Sequence, residues 1–377
     1  MKLHTLLAAA ALAAAVPAAV TAQGVTPTTI VIGQSAATTG QASDLGTEMR
    51  AGALAYFNAV NARGGVNGRR IELRTLDDGY EPDRSLANTR RFLENDQVFA
   101  LFGYVGTPTT LASMPVFTRA QVPLVGPFTG AEVFRKPFNR YVFNVRASYF
   151  VETDKLVDLL ATLRMQRIAV FYQNDAYGKA GLEGVERAMK ARNMSIAGTA
   201  TVERNSTDVK AAVATLSKLD PQAVIMIGAY KGCAAFIRAM MAAGIHAQFL
   251  NVSFVGSKGL AAELGPEGRG VGISQVVPFP WNIGTPVVKE YQKLMAAESG
   301  KEVYSFTSLE GFIAAKVLVE GLRRAGRDLT RDKLVAALET MNDFDVGGFT
   351  VTYTPSDHSG SRFVELTAIG KDGAFVR

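Results

Sequence analysis

Nucleophilic and acid–base chemistry has few carriers in this 377-residue chain. Cys233 stands near a helix-like start, where a thiolate is stabilised, but its candidate partners, His246 and His358, are not its neighbours in sequence. A small buried residue within Cys233-Ala234-Ala235 is the better reading, since free cysteine is among the most buried residue types. There is no G-x-S-x-G elbow and no G-x-x-x-x-G-K-[ST] phosphate loop, and Ile273 stands where Gly268-Arg269-Gly270-Val271-Gly272 would need a third fingerprint glycine. Asp77-Asp78 lacks the histidine or further acidic cluster of a metal site, so a turn role fits it better. No enzyme, cofactor or metal constellation emerges. What recurs instead is glycine with hydroxyls and aromatics: Gly106-Thr107-Pro108-Thr109, Gly126-Pro127-Phe128-Thr129-Gly130, 173–177 ending at Tyr177, and 228–232 with Tyr230 and Lys231. Helix-start N–H groups and threonine hydroxyls accept a carboxylate without a full buried counter-charge, while rings cover an apolar body. That is the chemistry of holding a small ligand.

These stretches need elements to position them. A β-branched run at 30–32 meets a loop at 33–46, then Met49, Ala53, Phe57 and Val60 recur at helical spacing. A glycine-rich turn at 61–68 and a strand at 71–76 complete one βαβ unit. The alternation continues with a helix at 82–95, strands at 98–102 and 122–125, and between them a helix for which Thr107 is the expected N-cap and Pro108 the first helical residue. After 141–145 a second set begins: helices at 149–164, 178–192, 207–219 and 232–243, and strands at 168–172, 195–202, 223–229 and 248–251. The tail holds helices at 285–299, 307–325 and 330–340 and short strands at 348–353 and 363–369. Repeated βα alternation implies parallel sheets covered on both faces, with ligands at the carboxyl ends of the strands. All four hydroxyl and aromatic loops fall at such ends.

Composition narrows the class further. The chain is 48% hydrophobic and long enough for one large domain or two lobes. Lys2 and an apolar, alanine-rich run from 6 to 20, closing on Val20-Thr21-Ala22, read as a secretory signal over residues 1–22, cleaved before Gln23; an uncleaved anchor is the alternative. The single cysteine allows no internal disulfide, and none stands at the signal's end for a lipid anchor, so a soluble periplasmic protein is expected. A net charge of +6 without blocks of like charge reads as a solvated basic surface rather than a nucleic-acid site.

TTGQASDLG at 38–46, the helix closing on NARGGVNGRRIEL at 61–73, the Asp77-Asp78 pair, DAYGKAG at 175–181, GAYKG at 228–232 and the glycine-rich segment near 265–272 together resemble the leucine/isoleucine/valine-binding family of periplasmic solute-binding proteins. The resemblance implies two hinged, Rossmann-like α/β lobes with parallel central sheets, the type I periplasmic-binding-protein fold. It divides the chain into residues 24–146 plus 279–353 and residues 147–278 plus 354–377. It also implies that Thr107, with Phe128 and Thr129, receives a ligand carboxylate, that Tyr177 and Tyr230 cover the ligand from the other lobe, and that Leu45 packs on its side chain. Where amino-acid-binding members carry an acid for the ligand ammonium, this chain reads Asn251-Val252-Ser253, and Lys231 follows Tyr230. Either another acid, such as Asp175, takes the ammonium, or the ligand has none and Ser253, Lys231 and Arg146 reshape the pocket. The implied function is ligand capture for an ABC importer, working with a membrane permease as a monomer. The expected ligand is a branched-chain or other hydrophobic amino acid, with an amine-free aromatic or aliphatic carboxylate as one alternative and a periplasmic sensor role as another.

Overall fold

The computed structural model describes residues 22–300 and 303–377; of the expected signal peptide, residues 1–21 lie outside the described residues. The β-branched run at 30–32 falls in β1 (Thr29–Ala36), buried along nearly its whole length as a strand covered on both faces must be. α1 (Ser43–Ala62), β2 (Arg70–Asp77), α2 (Pro82–Glu94), β3 (Ala100–Phe102), α3 (Thr107–Arg119), β4 (Leu124–Val125) and β5 (Val142–Phe143) continue the alternation. Their sheet runs β2-β1-β3-β4-β5 and is parallel throughout, with Ile30 opposite Ile71 and Ile32 opposite Ala100.

The chain then crosses to a second sheet through α4 (Tyr149–Thr162), β6 (Ile168–Gln173), α5 (Ala176–Lys190), β7 (Gly198–Val202), α6 (Lys210–Leu216), β8 (Ala223–Ile227), α7 (Tyr230–Ala242), β9 (Gln248–Asn251), α8 (Ser257–Leu264) and β10 (Gly272–Gln275). It returns to add α9 (Pro286–Ser299), α10 (Phe306–Ala325) and α11 (Arg331–Glu339) to the first lobe. There α1 and α10 touch backbone to backbone: a Cβ on Gly52 would overlap Ser308, and one on Gly311 would overlap Met49. A hairpin of β11 (Phe344–Asp345) and β12 (Thr350–Val351) precedes a third crossing. β13 (Glu365–Ile369) then pairs antiparallel with β10, and β14 (Phe375–Val376) pairs outside it. The second sheet runs β14-β13-β10-β9-β8-β6-β7. Two α/β lobes joined by three crossings make the type I periplasmic-binding-protein fold. No helix among the described residues is long and apolar enough to cross a membrane.

The boundaries depart from the sequence reading mostly where elements are short. The strand expected at 348–353 is only Thr350–Val351, because Gly347 and Gly348 take positive φ and turn the chain into a hairpin with Phe344–Asp345. The helix expected at 207–219 is α6 followed by a tighter turn at Ser217–Leu219. β14, two residues long, has no period to read.

Candidate ligand-binding cleft

At the carboxyl end of β3 the chain turns through Gly106, at φ 101°, a conformation that costs glycine little. A Cβ there would also strike the Tyr80 ring. Gly106, rather than Thr107, is therefore the N-cap of α3, which corrects the sequence reading. The Thr107 hydroxyl is thereby released from capping and meets the Thr129 hydroxyl at 2.6 Å. The two loops are tied by backbone: Gly106 N–H donates to the Phe128 carbonyl at 3.1 Å and Phe128 N–H to the Tyr104 carbonyl at 2.7 Å. Thr129 also donates toward Tyr149 Oη at 3.5 Å. Three hydroxyls thus gather at the start of a 13-residue helix, where the N–H groups of Thr107 and Thr109 have no carbonyl four residues back within the helix. Such a cluster can accept a carboxylate.

The second lobe brings Tyr177, in the first turn of α5, and Phe254, just beyond β9. Their ring centres lie 4.6 Å apart; Tyr177 is 5.4 Å from Tyr149, and Phe254 is 5.2 Å from Phe128 and 5.9 Å from Tyr80. Five buried rings from both lobes therefore pack into one cluster between the strand ends. Within it the Tyr177 hydroxyl is buried without a hydrogen-bond partner. Asp175 fixes the start of α5 by accepting from the N–H groups of Tyr177 and Gly178; burial pushes its pKa up, against these donors and that of Gln173. Gln173 Nε2 also donates across the cleft to Tyr80 Oη at 3.2 Å. Arg204 and Asn205 reach from the second lobe to Glu81 of the first at 2.8 and 2.7 Å, and Lys258 to Glu48 at 3.2 Å. The lobes are in direct contact over the cleft.

Of the residues singled out from sequence, Thr107, Phe128, Thr129 and Tyr177 meet in this enclosure. Leu45 and Tyr230 form a neighbouring buried pair, both within reach of a Cβ placed on Gly256. Lys231 does not join the ring cluster: it is only partly buried, with its ammonium 5.9 Å from the centre of its own neighbour's ring, Tyr230. Ser253 is buried but occupied, donating its N–H to Glu152 Oε2 at 2.8 Å and its hydroxyl to Oε1 at 3.0 Å. Asp175 is likewise committed to capping. The Asp77-Asp78 pair does take the turn role. Asp77 accepts from Thr38, Thr39, Gly79 and Arg84, and Asp78 from Ser35 and the Tyr80 N–H.

Behind the rings lies a buried charge group. Arg146, on the first crossing, is fully buried. Its Nη2 lies 3.3 Å from Glu152 of the second lobe and its Nη1 3.5 Å from Glu310 of the first. Its guanidinium carbon sits 5.0 Å from the Phe128 ring centre, and its Nε and Nη1 have no hydrogen-bond partner. Burial works against its charge, but Glu310 and Glu152 outweigh burial and raise its pKa. Glu152 accepts further from Ser274 Oγ at 2.6 Å. Burial pushes Glu310 up to about 7, Arg146 opposing the shift and Glu152 adding to it.

Tyr80, Tyr149, Phe254, Glu152 and Glu310 escaped the sequence reading. Tyr80, Phe254 and the crossing before Tyr149 follow β2, β9 and β5, so the strand-end rule applied to every strand would have found the three rings. Glu152 and Glu310 sit inside helices and carry no local signal.

Parallel sheets in two lobes, closing their strand ends on hydroxyls and rings, define a two-lobed solute-binding architecture. The family described as periplasmic binding protein matches residues 29–374. The chain belongs to that family. A solved structure of a possible leucine/isoleucine/valine-binding protein from Rhodopirellula baltica is 35% identical, covers 93% of this chain and 97% of its own, and superposes with a TM-score of 0.89. A substrate-binding periplasmic protein from Ralstonia solanacearum is 37% identical over 92% of this chain and 99% of its own, with a TM-score of 0.87. A leucine-, isoleucine-, valine-, threonine- and alanine-binding protein from Pseudomonas aeruginosa is 23% identical over 84% of this chain and 83% of its own.

Proposed function

We propose that this chain is the solute-binding component of an ABC importer, exported to the periplasm, where it captures a small ligand bearing a carboxylate and an apolar body. The observation that carries this reading is the closed cleft: the Thr107, Thr129 and Tyr149 hydroxyls at the start of α3, roofed by Tyr177 and Phe254 from the other lobe, with the Tyr177 hydroxyl buried and unpaired. A ligand that touches both lobes makes all its contacts only when they are together, so it shifts the population toward closure by its differential affinity. The closed form would then dock on the permease. The hinge of this motion is assigned to the three crossings, and Thr107, Thr129, Phe128, Tyr177, Tyr230 and Leu45 to the ligand. The names of the Rhodopirellula and Pseudomonas proteins make aliphatic amino acids the reference ligands. Nothing in the cleft calls for turnover.

Thermal denaturation of the chain from Gln23 onward, run against proteinogenic amino acids and against aliphatic and aromatic carboxylates, tests the proposal. A ligand that binds only the folded state raises the midpoint. A flat response across the whole panel would sink it.

A further inference from the structure

We infer that the closed cleft takes a flat carboxylate without an α-amine, an aromatic or otherwise unsaturated acid, in place of an α-amino acid. This rests on the reading of the cleft as a carboxylate site.

The ammonium of an α-amino acid is only two bonds from its carboxyl carbon, so an acid that receives it must stand beside the Thr107, Thr129 and Tyr149 hydroxyls. Asp78, beside Tyr80, is held in its turn by the Ser35 hydroxyl and the Tyr80 N–H; two further buried acids, Glu152 and Glu310, share Arg146. Glu152 already accepts from the Ser253 N–H, the Ser253 and Ser274 hydroxyls and Arg146, which fills the four acceptor sites of a carboxylate. Glu310 has acceptor capacity left, but it is held 3.5 Å from Arg146, whose guanidinium lies against Phe128, the residue next to Thr129. An ammonium entering there would face a buried cation at close range. Asp175 is committed to the start of α5, and Asp44 lies against Gly259 and Tyr230 rather than the hydroxyls. An unpaired ammonium in a dry enclosure is strongly disfavoured.

The unpaired atoms point the same way. Arg146 Nε is a donor with neither a hydrogen bond nor an ion pair, and the Tyr177 hydroxyl can donate. Asn251 Oδ1 is an unpaired acceptor, but a neutral amide oxygen brings no charge to offset an ammonium. Donors left over around a carboxylate site suit a ligand that is acceptor and anion only. The walls set its shape: Tyr80, Phe128, Tyr149, Tyr177 and Phe254 are all buried rings, and ring faces and edges pack best on a planar body.

Matched pairs isolate the amine. Isothermal titration of the chain from Gln23 onward with 3-phenylpropanoate and L-phenylalanine, and with 4-methylpentanoate and L-leucine, compares the same skeletons with and without it. The expected result is at least tenfold tighter binding of 3-phenylpropanoate than of phenylalanine, with cinnamate, its planar analogue, at least as tight. Tyr177→Phe should weaken cinnamate at least fivefold while leaving the thermal midpoint of the free protein in place; unchanged affinity would remove the placement on which the inference stands. Phenylalanine or leucine binding as tightly as its amine-free partner overturns the inference but leaves the carboxylate-binding function intact. Loss of that amino-acid binding in Glu310→Gln would then identify Glu310 as the ammonium's acceptor. Silence from all five compounds also overturns it, whereas the proposed function falls only with the wider panel.

Discussion

Asp77 and Glu310 are both acids of the first lobe, and the protein treats them in opposite ways. Asp77, at the rim, is ringed by donors: Thr38 and Gly79 N–H, the Thr39 hydroxyl and Arg84 at 2.6 Å. Burial would raise its pKa, but these donors outweigh burial and hold it well below the ordinary carboxylate range. Glu310, in the interior, faces Arg146 at 3.5 Å, and burial wins. Hydrogen bonds thus decide what burial alone does not. At the rim loop the chain supplies donors in full; at the crossing between lobes it leaves acceptor capacity unused.

The sharpest way to break this contrast is Arg146→Ala. It leaves Glu152 and Glu310 buried without their cation, and urea denaturation should show a loss of about 3–5 kcal/mol. Stability within experimental error of the parent would mean the charges are not buried as described. Next is Thr107→Val, which keeps the shape and removes a cleft hydroxyl. Titration with the ligand found by the thermal panel should show a loss of about 1.5–3 kcal/mol, and unchanged affinity would take Thr107 out of the carboxylate site.

The two acids also separate by pH. The folded Glu310 holds its proton up to about 7 while the unfolded one releases it near 4.5, so across that window the folded state binds more protons and stability falls as pH rises. The slope it adds is at most about 1.4 kcal/mol per pH unit, and Glu310→Gln should flatten it. Asp77 behaves oppositely: its contribution is present above about pH 4 and is lost as pH falls below that, so Asp77→Asn should change only the acid limb. A Glu310→Gln profile superposing on the parent between pH 4.5 and 7 would contradict the assignment. The smallest effect belongs to Lys258→Met. It removes the partly exposed pair with Glu48 across the cleft, and should weaken ligand binding by about 0.2–1 kcal/mol at low salt and not measurably at high salt.

The fold was legible because its signal is periodic. Residues 30–68, a strand, loop, helix and turn around Met49, Ala53, Phe57 and Val60, begin an alternation that parallel sheets satisfy. That Thr107, Phe128, Thr129 and Tyr177 come together was legible because all four lie at strand ends, where such sheets converge, and the family resemblance marked them. The capping role of Thr107 was misread because Gly106, one residue earlier, takes a positive φ that sequence does not display. The Arg146 group was hidden for another reason: its members are 6 and 164 residues from the arginine, and nothing but the closed fold brings them together.

The three crossings have a consequence for how the chain acquires this shape. α9, α10 and α11, which complete the first lobe, follow the second lobe's parallel strands, and β13 and β14, which complete the second sheet, come last of all. A growing chain therefore completes neither lobe until segments that follow β10 have been made. Pairings such as Gly272 with Ala368 and Asn144 with Gly360 close loops of about a hundred and two hundred residues, and contacts so distant in sequence form slowly. Late closure of this kind delays the compact state of both lobes after synthesis.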